Sequence, residues 1–65
     1  MFKLQEMRYV IDGTKVAAKR KKKDMTLARM AFLCGWGASY QWCLENRIET
    51  VSESTKKIIE NVLRS

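Results

Sequence analysis

"FLCGWGASYQWCLENR", residues 32–47, holds both cysteines, both tryptophans and two of the three glycines of the chain. A redox or metal site, a glycine loop that cradles phosphate, and a tight turn between two helices all bring such residues together. The neighbouring residues decide among them. Cys34 and Cys43 lie nine positions apart, not in the C-x-x-C spacing of redox and zinc motifs. Cys34 also shares an apolar stripe with Leu27, Met30 and Ala31, at i, i+3, i+4 and i+7, where a free thiol serves as a small hydrophobe. "GWG" lacks the glycine run and the Lys-Ser/Thr ending of a phosphate loop, and no strand precedes it. A turn remains. Gly35 ends one helix, because glycine takes the left-handed conformation without steric cost, and Gly37 opens the next. A supporting helix "LARMAFLC", capped by Thr26, and a second helix "ASYQWCLEN" then form a helix-turn-helix.

Working outward, Asp12 caps a first helix running from about Thr14 to Lys23, and Asp24 is its stop. Ser52 caps a fourth helix, "ESTKKIIENVLRS", whose stripe is Ile58, Ile59, Val62 and Leu63. "MRYVID" carries the β-formers Tyr9, Val10 and Ile11 and reads as a short strand in need of a partner. These elements predict an all-α fold: a compact four-helix helix-turn-helix domain over residues 13–65, preceded by a short strand or arm over residues 1–12. At 65 residues the chain makes one domain with one small core.

Thirteen Lys and Arg against seven Asp and Glu give a net charge of +6, which attracts polyanions. The charge is uneven: residues 15–23 hold six basic side chains and no acid. The chain has no histidine, so a thiol nucleophile lacks its usual base and the usual N/S zinc set is out of reach. No cofactor, no metal and no enzyme activity are expected. There is no signal peptide and no run long enough for a membrane span, so the expected setting is the cytoplasm of a bacterial host cell.

From Thr14 to Leu63 the chain resembles the Cro/lambda-repressor-like (Xre-type) helix-turn-helix family of phage and bacterial regulators. The resemblance rests on the basic end of the first helix, Thr26, Met30-Ala31, Gly35, Ser39-Tyr40, "LEN" at 44–46 and the serine-capped "SESTKKIIENVL", all in register. The sequence departs from the family at Gln41, where Val or Ile is usual, at Lys19 in place of leucine, and at Arg47 in place of glycine. The expected helices end with the fourth, where many relatives carry a fifth that helps them dimerise. The resemblance implies a sequence-specific regulator that reads double-stranded operator DNA with helix 38–46 in the major groove. It also implies a structural pair between Arg20 and Glu45.

On that expectation Ala38, Ser39, Gln41, Trp42 and Asn46 meet base edges, with Gln41 and Trp42 the two that either read bases or pack inward. Lys19, Arg20, Lys21, Lys22, Lys23, Thr26, Tyr40 and Arg47 meet phosphates and supply affinity more than sequence choice. A homodimer is expected, since one short reading helix binds weakly alone. The strand "KLQEMRYVID" either pairs with its twin or forms an arm with Lys3 and Arg8 in the minor groove. The competing expectation is an antitoxin- or antirepressor-like module that holds a protein partner with the same fold.

Overall fold

In the computed structural model, which describes residues 1–64, the N-terminal segment folds back on itself and is no lone strand or arm. β1 (Phe2–Gln5) and β2 (Arg8–Ile11) form an antiparallel hairpin, Phe2 opposite Ile11 and Gln5 opposite Arg8. Glu6, at a φ of 57°, opens the turn between them. β3 (Thr50–Val51) pairs with the other side of β2, giving the order β1-β2-β3. This corrects the all-α expectation. Among the described residues the fold is mixed, with four helices and a three-stranded antiparallel sheet.

The sheet forms because its strands alternate. Side chains in a strand point to opposite faces, so Phe2, Leu4, Tyr9 and Ile11 share one face. Ile11 and Val51 are buried in the core, and Phe2 and Tyr9 pack at its margin. A hairpin alone is marginal in water; a third strand and a helix against its apolar face stabilise it.

The helices begin and end at chemically explicable points. α1 (Gly13–Lys22) follows Asp12, whose Oδ1 accepts from the Thr14 and Lys15 N–H groups at 3.2 and 3.4 Å. Asp24, at a φ of 56°, turns the chain out of it. α2 (Leu27–Cys34) follows Thr26, whose hydroxyl accepts from the Arg29 N–H at 3.0 Å. Gly35 closes α2 at a φ of 89°, its N–H donating to the Ala31 and Phe32 carbonyls. α3 (Ala38–Asn46) starts after Gly37. α4 (Glu53–Arg64) follows Ser52, whose hydroxyl accepts from the Thr55 N–H at 3.3 Å. Ser65, the last residue of the expected fourth helix, lies outside the described residues.

Val16, Met30, Leu44 and Ile59 are fully buried and bring all four helices into one core with Ile11 and Val51. Ile59 and Leu63 carry the buried stripe of α4, whereas Ile58 faces out. Cys34 sits in the same core, and burial pushes its thiol up to about 11, so it is unreactive at neutral pH. Among the described residues no helix is long and apolar enough to cross a membrane.

The cap at Asp12 carries a pH dependence. The Thr14 hydroxyl, donating at 2.6 Å, and the Lys15 N–H hold the Asp12 carboxyl below its ordinary value of 3.8. A carboxyl lowered in the folded state stabilises it above the unfolded pKa, and that contribution disappears as pH falls through the folded value. Asn caps equally well without titrating. Asp12→Asn is therefore expected to narrow the difference in urea midpoint between about pH 6 and about pH 3. An unchanged difference removes Asp12 from the acid response.

Candidate nucleic-acid interface

The inner face of α3 is polar as well as apolar, and its polar groups form one chain of hydrogen bonds. Gln41 is fully buried. The Trp36 indole N–H donates to Gln41 Oε1 at 2.8 Å, and Gln41 Nε2 donates to Glu45 Oε2 at 2.8 Å. Arg20, from α1, donates to the same carboxylate twice, Nε to Oε2 at 2.9 Å and Nη2 to Oε1 at 3.0 Å. Its Nη1 donates to the Met25 carbonyl at 2.9 Å. The Arg20 and Glu45 side chains are 9% and 3% exposed. Among the described residues no buried side-chain N or O lacks a partner. The chain ties the turn, α3, α1 and the α1–α2 connection into one unit, as buried polar groups require.

Two sequence-based expectations are corrected by this arrangement. Gln41 does not face bases; it lies one helical turn from Glu45, on the same buried side as Leu44. Arg20 is buried beside Glu45, and three of its five N–H groups donate within the fold, which makes it the structural pair first and leaves little of it at the surface for a phosphate.

The outer face of α3 presents Ala38, Ser39, Tyr40, Trp42 and Asn46 to solvent. Trp42 is 45% exposed, and the Arg47 guanidinium lies 5.6 Å from its ring centre in cation–π geometry. The Asn46 side-chain amide donates back to the Trp42 carbonyl at 2.9 Å. Tyr40 packs edge-on against Trp36, ring centres 5.2 Å apart. Lys19, Lys21 and Lys22 are exposed on the last turn of α1, with Lys23 at its cap. Thr26 is exposed; its oxygen is engaged as a cap, but its own hydroxyl proton remains a donor.

An open groove of about 520 Å³ joins the two sets, with Thr14, Ala17 and Lys21 on one wall and Trp42 and Asn46 on the other. A second groove lies between the hairpin and the end of α3, lined in part by Gln5, Thr50, Asn46 and Arg47. The outer face of the sheet thus adjoins the C-terminal end of α3. Among the described residues no group of His, Cys, Asp and Glu is arranged to hold a metal ion.

Two contributors escaped the sequence reading. Gly13 lets α1 approach α3 so closely that a Cβ there would lie 2.3 Å from the Glu45 carbonyl oxygen. Nothing local announces this, since a glycine after a capping Asp also suits a simple turn. Trp36 supplies the donor that satisfies Gln41, and its place in the turn, five residues before Gln41, was the available signal. No family model, curated protein or solved structure matches the chain.

Proposed function

We propose that this chain is a sequence-specific double-stranded DNA-binding regulator of the helix-turn-helix type, reading the major groove with α3 in the cytoplasm of a bacterial cell. The observation that carries the reading is the two-sidedness of α3. Its inner face is locked by hydrogen bonds, while its outer face offers Ala38, Ser39, Trp42 and Asn46 beside a lysine-rich helix end. A rigid short helix with a solvent-exposed outer face and flanking cations suits major-groove entry. Ser39 can bond base edges, and Ala38 and Trp42 can pack on thymine methyls. Lys19, Lys21, Lys22 and Lys23, with Arg47, Tyr40 and Thr26, supply phosphate contacts.

Duplexes selected from a random pool, titrated by fluorescence anisotropy against salt, test this reading. One selected duplex is expected to outcompete random duplex, with affinity falling steeply as salt rises. Lys21→Gln with Lys22→Gln is expected to flatten the log–log salt slope by about two without changing the preferred sequence. Trp42→Ala is expected to keep the slope and weaken discrimination about tenfold. Equal affinity for every duplex sinks the proposal. The antitoxin- or antirepressor-like alternative draws support from Phe32, which is 73% exposed on α2.

A further inference from the structure

The side chain of Arg47 is folded back along α3 instead of trailing from its end. Its guanidinium lies 5.6 Å from the ring centre of Trp42, five residues earlier, and both side chains are exposed. Among the described residues no hydrogen bond or ion pair engages that guanidinium, so its five N–H donors are unspent. Arg8 and Arg20 differ: the first donates to the Thr50 hydroxyl and carbonyl, the second to Glu45. Glu45 is the one acid on α3, and its commitment to Arg20 leaves Arg47 without a counter-charge on that helix. Stacking on an indole holds a guanidinium in place without using its N–H groups.

We propose that Arg47 reads a guanine, in the base pair next to the one whose thymine methyl packs on Trp42. This rests on the entry of α3 into the major groove and adds the base step that the helix selects. Charge alone makes Arg47 a phosphate contact; its position carries it further. The lysines at the end of α1 already supply point charges for the backbone. A planar fork matches the paired acceptors of guanine, O6 and N7, and neither Ala38, Ser39 nor Trp42 offers one. The ring behind the fork fixes it before binding, so little side-chain freedom is lost when guanine is met. Spacing selects the neighbouring pair. Successive bases are about 3.4 Å apart along the duplex, and lateral offset in the groove makes up the rest of the 5.6 Å. Two steps would need about 6.8 Å of rise alone.

Base analogues in the selected duplex test this with the full chain. Replacing the guanine beside that thymine by 7-deazaguanine removes the N7 acceptor, and wild-type affinity is expected to fall about tenfold. Arg47→Ala is expected to bind the unmodified duplex at least tenfold more weakly, to be indifferent to 7-deazaguanine, and to keep the salt slope. Trp42→Ala removes the ring that holds the fork. It is expected to lose discrimination at the guanine as well as at the thymine, where uracil removes the methyl. The wild-type measurement stands by itself should either variant fail to fold, which circular dichroism reads. A selected sequence with no guanine beside a thymine overturns the proposal. So does an Arg47→Ala that lowers the salt slope by about one and weakens every duplex alike, the mark of a phosphate contact. Both outcomes leave α3 as the reading helix, whereas equal affinity for all duplexes overturns that reading and this one together.

Discussion

Glu45→Ala is expected to cost the fold about 3–5 kcal/mol, a third or more of its stability. Truncating one member of a buried ion pair costs about 3–5 kcal/mol, because the other charge stays behind without a counter-ion. A domain of this size has roughly 3–10 kcal/mol in total. Here the loss reaches beyond Arg20. Glu45 also accepts from Gln41 Nε2, so the substitution orphans three donors in a site that is 3% exposed on the carboxylate side. Urea unfolding followed by tryptophan fluorescence measures the loss.

A companion variant separates burial of charge from loss of packing. Arg20→Met, Gln41→Leu and Glu45→Leu together remove the buried polar groups, and apolar replacement of buried ion pairs is often neutral or stabilising. Only the Trp36 N–H and the Met25 carbonyl lose partners, and both belong to half-buried residues within reach of water. The triple variant is therefore expected to unfold near the wild-type midpoint. If Glu45→Ala costs less than about 1 kcal/mol, the pair behaves as a surface salt bridge and the network does not hold α3.

The helices were legible because their ends are written locally. Asp12, Thr26, Gly35 and Ser52 each act on N–H or C=O groups within four residues of themselves, so each can be read from a short window. The sheet was not. β1 has the right alternation, but its turn is Glu6-Met7, without the Asn-Gly or Asp-Gly that announces a hairpin. β3 has two residues, too few for any period, and it pairs with a strand some forty positions earlier. On α3 the period was readable: Gln41 stands three before Leu44 and four before Glu45, which puts it on their side. Its amide left the direction undecided, because the donor that makes burial tolerable, the Trp36 N–H, comes from outside the helix.

Gly13→Ala is expected to destabilise the fold by about 3 kcal/mol, at or beyond the usual upper end for overpacking. Taken alone, alanine at the start of a helix favours folding by about 0.5–1 kcal/mol, because it restricts the unfolded chain. Contact geometry reverses that sign. The added Cβ would meet the Glu45 carbonyl oxygen at 2.3 Å, its carbon at 2.6 Å and its Cα at 2.7 Å. All three are backbone atoms of α3, so no side chain can swing aside. Ordinary contact begins at 3.4 Å, so the two helices must part by roughly an ångström. α1 also carries Arg20, whose bonds to Glu45 at 2.9 and 3.0 Å lengthen as the helices separate. Overpacking and loss of the ion pair then act together. The other glycines calibrate the result. Gly37→Ala meets nothing within 4 Å and is expected to be near neutral. Gly35→Ala is unobstructed too, but its φ of 89° strains an L-residue by about 1–2 kcal/mol. The expected order of urea midpoints is therefore Gly37→Ala highest, Gly35→Ala between, and Gly13→Ala lowest. A Gly13→Ala midpoint above that of Gly35→Ala rules out close contact between the α1 and α3 backbones.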